Sequence, residues 1–196
     1  MQKLLIILCL LTITAFGVPQ QGQASPILDI DANGQLLGAS GVLVEGNSYS
    51  VEFKDGSYNS LFGSSAFTFT TSSAAYAASS ALLNTVFLDS DLGNFDTQPE
   101  LIAGITFTFG EIITPYRVVS PSLYYIGAGN SSPSNPAPND RITYASQGLI
   151  YDTNYLSSRA FALWTPTPAP VPEPSTMLLL GVGLGGLAIY RRKVKK

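Results

Sequence analysis

Asp29, Asp31 and Asn33 occupy every second position and run into Gly34, the D-x-D-x-N-G spacing with which calcium loops open. Side-chain oxygens two residues apart can converge on one cation where a glycine lets the backbone turn sharply. The twelfth position, where such a loop takes a bidentate carboxylate, is Ser40, and the flanks carry no helical pattern. The same residues also suit an Asx-rich turn ahead of the first strand. Asp89, Asp91, Asn94 and Asp96 form a second acidic loop. It follows a stretch that reads as a helix, so its carboxylates face the negative end of the helix dipole. A calcium ion would offset that placement, and a solvated loop is the simpler reading. No cofactor is expected.

Other chemistry is limited by what the chain lacks. It has no histidine, and its single cysteine is Cys9. A Ser-His-Asp triad, a Cys-His pair and the common zinc ligand sets are therefore excluded. Two carboxylates could hydrolyse a glycosidic bond at a separation of roughly 5–9.5 Å. Glu45, Glu52, Glu100 and Glu111 are candidates, but no spacing singles out a pair. Tyr124, Tyr125, Tyr151, Tyr155 and Trp164 could stack on sugars, although aromatics at strand spacing usually belong to a core. The expectation is a protein that is not an enzyme. Between residues 25 and 170, four basic residues stand against twelve acidic ones, a net charge of −8. That surface repels phosphate backbones, so no nucleic-acid partner is expected.

The elements that must position these residues are mostly strands. Residues 51–54 alternate and lead into the turn signal Asp55-Gly56; residues 43–44 and 49–51 flank Glu45-Gly46-Asn47-Ser48 as a hairpin. Residues 66–70 and 105–109 alternate Phe with Thr. Residues 116–119, 123–126, 142–144, 148–151 and 160–164 are rich in aromatic and β-branched side chains. Residues 73–88 hold a run of alanines followed by larger apolar residues. They predict one α-helix, capped by Ser72 or Ser73, with Tyr76, Ser79, Leu83 and Val86 along one stripe. Residues 128–140 are mostly Gly, Asn, Ser and Pro, with no apolar run, and read as a surface loop. The fold class expected is α+β, mostly antiparallel β with one helix, over residues 25–164.

Both ends differ from this middle. Lys3, the apolar run 4–16 and the small residues Gly22 and Ala24 form a secretory signal, with signal peptidase cutting between Ala24 and Ser25. At the other end Pro166, Pro168, Pro170, Pro172 and Pro174 alternate, predicting an extended linker over residues 165–174. An apolar stretch and the basic cluster Arg191, Arg192, Lys193, Lys195 and Lys196 follow, predicting a membrane helix whose basic end stays in the cytoplasm. The sixteen residues 175–190 would span roughly 24 Å at the helical rise, less than a ~30 Å hydrocarbon core. That is short for a permanent anchor and suits a temporary stop.

Val171, Pro172, Glu173 and Pro174, the apolar stretch and the basic cluster together resemble the PEP-CTERM sorting signal of Gram-negative bacteria. The resemblance covers about residues 171–196. It implies recognition by an exosortase, cleavage near the motif, transfer to the cell surface or medium, and association with exopolysaccharide or biofilm. A secreted carbohydrate-active enzyme and an inner-membrane-anchored periplasmic protein are the rival expectations.

Overall fold

The computed structural model describes residues 25–63, 66–133 and 140–168. The expected signal peptide and its cleavage site at Ala24, and the sorting motif with its apolar stretch and basic cluster, lie outside the described residues. Among those described, no helix is long and apolar enough to cross a membrane.

Seven strands form one mixed sheet in the order β1-β2-β3-β9-β6-β7-β8. They are β1 (Ile27–Ile30), β2 (Leu36–Val44), β3 (Asn47–Lys54), β6 (Phe109–Val119), β7 (Ser122–Ser131), β8 (Arg141–Gly148) and β9 (Arg159–Pro166). Two-residue strands β4 (Asp89–Ser90) and β5 (Gly93–Asn94) make a separate ribbon. Every pairing in the large sheet is antiparallel except β6 with β9. That single parallel contact joins two antiparallel halves.

The β2–β3 hairpin forms as its sequence predicts, with a tighter turn. Val44 pairs with Asn47, so only Glu45 and Gly46 make the connection, at φ of 50° and 82°. Positive φ at both central residues is the turn whose twist matches paired strands.

The helix also forms, with changes. Its N-cap is Thr71, whose hydroxyl accepts from the Ala74 amide. Helix α2 (Ser72–Ala81) continues without a break into a π-helical turn (Leu82–Val86), fifteen residues in all. The wider turn brings Leu82, Val86 and Phe87 into the core together. The buried stripe is Ala75, Ala78, Ser79, Leu82 and Val86, rather than one through Tyr76 and Leu83. A short helix α1 (Tyr58–Leu61) adds a second helical element that the sequence did not announce.

The sheet is covered on both faces. On one, the alanines of α2 share a core with Ala128, Ala160 and Ala162, small side chains that let helix and sheet approach closely. Burial of Phe53, Phe87, Phe95 and Ile112 fills the rest of that layer. On the other, Ile113, Leu123, Tyr125 and Phe161 pack under Tyr58, Leu61, Phe62 and Phe67.

Several expected elements take other forms. Residues 66–70 join no ladder; Thr68 instead donates its hydroxyl to the Trp164 carbonyl. Of residues 105–109 only Phe109 is in a strand, and Ile105 makes an isolated bridge to Ser158. β8 ends at Gly148, and the chain then turns, with the Tyr151 amide donating to the Gly148 carbonyl. Residues 128–131, expected in a loop, finish β7 and pair with 109–112. β9 runs on through Pro166, paired with Tyr49, so the ordered fold continues past Trp164.

Candidate functional site

The most unusual chemistry among the described residues is a buried ion pair. Glu111 stands on β6 with 3 % of its surface exposed. It has Ile112 and Ile113 after it in an apolar strand. The parallel pairing sets it opposite Arg159 at the start of β9, and its Oε2 lies 2.8 Å from Arg159 Nε. Its other oxygen accepts a short hydrogen bond from the Thr143 hydroxyl on β8. To reach Thr143 the carboxylate crosses β7 above Gly127. A Cβ at that glycine would lie 2.4 Å from Glu111 Oε1 and 2.5 Å from Thr143 Oγ1. The other side of Arg159 donates to the Tyr151 hydroxyl at 2.9 Å. Burial, with the Glu111 charge behind it, pushes the Tyr125 phenol up, and burial does the same to Tyr151. Arg159 is held above its ordinary value by the Tyr151 hydrogen bond and by Glu111, against the opposing effect of its own burial.

This arrangement spans four adjacent strands, tying β6 to β9 by an ion pair and to β8, across β7, by a hydrogen bond. The partners of Glu111 are a guanidinium and a hydroxyl; neither is a second carboxylate. The other candidate glutamates are dispersed. Glu45 is in the hairpin turn, Glu52 pairs with Lys54 at 2.8 Å on the exposed side of β3, and Glu100 is in the 3-10 turn Pro99–Leu101. A different pair of acids does come together. Ser57 bridges Asp152, which places Asp152 next to Asp55. Burial and then the charge of Asp152 raise the Asp55 carboxyl, while a hydrogen bond from Thr153 opposes them.

The two calcium candidates are organised by their own loops. Asp29 lies within β1, paired with Gly38. Asp31 Oδ1 accepts from the amides of Asn33 at 2.9 Å and Gln35 at 2.8 Å, and Oδ2 from the Asn33 side chain. Those amides, Gln35 first, hold the Asp31 carboxyl below its ordinary value. This is an Asx turn closing the β1–β2 hairpin. In the second loop Asp89 accepts from the amides of Asp96 and Thr97 and from the Thr97 hydroxyl. Asp91 is exposed in the turn between β4 and β5. Among the described residues no cluster of three or more His, Cys, Asp or Glu is set to hold a metal ion.

Asp96 is raised by burial first, then by the charges of Asp140 and Asp89. A raised carboxyl favours the fold when protonated and loses that contribution as pH rises through its folded value. Asp96→Asn is therefore expected to raise the urea midpoint at pH 7. The gain closes as the pH falls below the ordinary carboxylate range, which paired urea titrations at pH 7 and pH 3 will show.

The aromatics divide sharply. Trp164 and Tyr125 are core residues, and Trp164 Nε1 donates to the Thr114 hydroxyl. Tyr124 and Tyr151 are half-buried, while Tyr155 is 87 % exposed. Sequence reasoning missed Tyr76 and Tyr144, which stack at 5.8 Å and 21° on the surface.

Residues 170–193 match the family described as PEP-CTERM protein-sorting motif. The chain carries a PEP-CTERM sorting motif. That motif implies an exported protein, processed by an exosortase and sorted to the cell surface. It occupies a C-terminal segment only and leaves the role of the β-rich domain open. No curated protein and no solved structure matches the chain.

Proposed function

We infer that this chain is a non-enzymatic protein of the cell surface or extracellular matrix, delivered by its sorting motif and associated with exopolysaccharide. The sorting motif at residues 170–193 is the observation that carries this reading. The ion pairing of Glu111 supports it, since a carboxylate committed to Arg159 is a crosslink rather than an acid or base poised for substrate. In this reading Pro172, Glu173 and Pro174 are the exosortase recognition site, and Arg191, Arg192, Lys193, Lys195 and Lys196 the stop signal. Signal peptidase acts at Ala24–Ser25.

The raised Asp55 beside Asp152 favours a second reading, a secreted carbohydrate-active enzyme. One assay separates the two. Protein recovered from the host is expected to sediment with the matrix polysaccharide and to release no reducing ends from it. Release of reducing ends, abolished by Asp55→Asn, would establish the enzyme instead.

A further inference from the structure

Tyr144 lies on β8, the outer strand of the sheet, with 64 % of its surface exposed. Tyr76, on the first half of α2, is 42 % exposed and lies against it, the two rings nearly parallel. Two separate elements thus hold two large rings at the surface in one orientation. Exposed aromatics scattered singly need no explanation, whereas a co-oriented pair from helix and strand is a formed surface.

The surroundings of the pair are polar. The cross-strand partners Ile126↔Tyr144 and Tyr124↔Ser146 place Tyr144, Ser146 and Tyr124 on one face, beyond the part that α2 buries. A bulge between Pro115 and Arg117 then turns Arg117 onto that face opposite Tyr124, its guanidinium 5.7 Å from the ring centre. On the helix, Ser72 and Ser73 are exposed one turn before Tyr76, the neighbouring positions on its stripe. Flat rings bordered by hydroxyls and one guanidinium match the surface of a sugar. Its C–H face lies on an aromatic ring while its hydroxyls find donors and acceptors at the rim. A protein partner would be met by a wider apolar patch, and an anionic polymer is opposed by the net charge of −8 over residues 25–170.

We propose that the stacked pair Tyr76 and Tyr144, with Tyr124 and Arg117 beside it, forms a shelf whose outward ring face receives the sugar rings of a neutral polysaccharide. This rests on the matrix-contact reading above and gives that contact a place on the fold.

The test is native electrophoresis of the full chain in mild detergent, through gels cast with soluble polysaccharide harvested from the host's own matrix. The wild type is expected to be retarded. Tyr76→Ala/Tyr144→Ala is expected to lose the retardation, Tyr144→Phe to keep it, and Tyr155→Ala, which removes an exposed ring elsewhere, to keep it. Ser146→Lys changes an exposed position on the shelf without removing packing, and is expected to weaken retardation even if the double variant folds poorly. Undiminished retardation of a folded double variant and of Ser146→Lys would overturn the shelf while leaving matrix contact standing. An unretarded wild type would overturn both. Self-association in gels without polysaccharide, lost in the same variants, would assign the surface to a second copy of the chain and overturn the proposal.

Discussion

Replacing Pro172, Glu173 and Pro174 with alanines is expected to leave nearly all of the chain at full length in the inner-membrane fraction, and to empty the surface and medium fractions of it. Proline fixes φ near −65° and has no amide hydrogen, so the native sequence predicts an extended segment with two backbone donors removed. Alanine is the strongest helix former, and three in a row would let the helix predicted from the sequence of the apolar stretch extend back through the motif. The segment an exosortase must read would then be wound up. Glu173→Gln separates charge from conformation. If the carboxylate is what the enzyme recognises, this variant fails as completely as the triple replacement; if the extended backbone suffices, it is processed. Fractionation and immunoblotting against residues 25–168 read both outcomes.

Arg159→Met is expected to cost the domain a large part of its stability. It leaves the Glu111 carboxylate buried with only the Thr143 hydroxyl as partner. Removing one member of a fully buried ion pair costs about 3–5 kcal/mol. Because 36 % of the Arg159 side chain is exposed, water can partly replace it, and about 2–3 kcal/mol is the expected loss. Glu111→Gln keeps the shape and the Thr143 contact and should lose less, about 1–2 kcal/mol. The double variant Glu111→Met/Arg159→Met removes both charges and is expected to recover much of the deficit, since apolar replacements of buried pairs are often neutral. Urea midpoints at constant slope give these differences, and the four chains form a double-mutant cycle. Additive losses would mean that the two charges do not interact, contrary to their 2.8 Å separation.

Where sequence and structure agree, a local rule and a long-range constraint coincide. Alternation in residues 51–54 and the Glu45-Gly46 turn are local, and β2 and β3 pair as neighbours in the chain. The alternating Phe and Thr of residues 66–70 show the limit of that rule. Alternation reports one-sided burial, whereas Phe67 and Phe69 pack into the two separate clusters on the two faces of the sheet, and their backbone joins no ladder. Residues 128–131 fail in the opposite direction. Their Gly, Asn and Ser look like a loop, yet Asn130 donates its side-chain amide to the Phe95 carbonyl at 2.6 Å inside the core. Asp29 and Asp31 matched a calcium pattern because strand alternation and ligand alternation share a period of two; Asp29 belongs to a strand and Asp31 to its turn.

The candidate sites were legible in the same partial way. Glu111 was one of four candidate glutamates, and its partner lies far along the chain. The available signal was a lone charge beside a run of apolar residues, at Glu111-Ile112-Ile113 and again at Arg159-Ala160-Phe161. Here the two charges meet, Glu111 buried and Arg159 half-buried, whereas Arg117-Val118-Val119 carries the same pattern and stays exposed. The stripe through Tyr76, Ser79, Leu83 and Val86 misses the centre of the buried face: at about 100° per residue the alanines of the helix gather on the side opposite Tyr76, which sits among the serines. The sorting motif needed no tertiary partner, and all of its features are contiguous in sequence.

The central claim is that the C-terminal segment is an address removed after use. Intact-mass spectrometry of the protein released from the cell surface tests it. The account predicts an N-terminus at Ser25 and a C-terminus near Pro172–Pro174, with residues 177–196 gone. A surface-released chain that still carries residues 177–196, or a chain found intact only in the inner membrane, would contradict it.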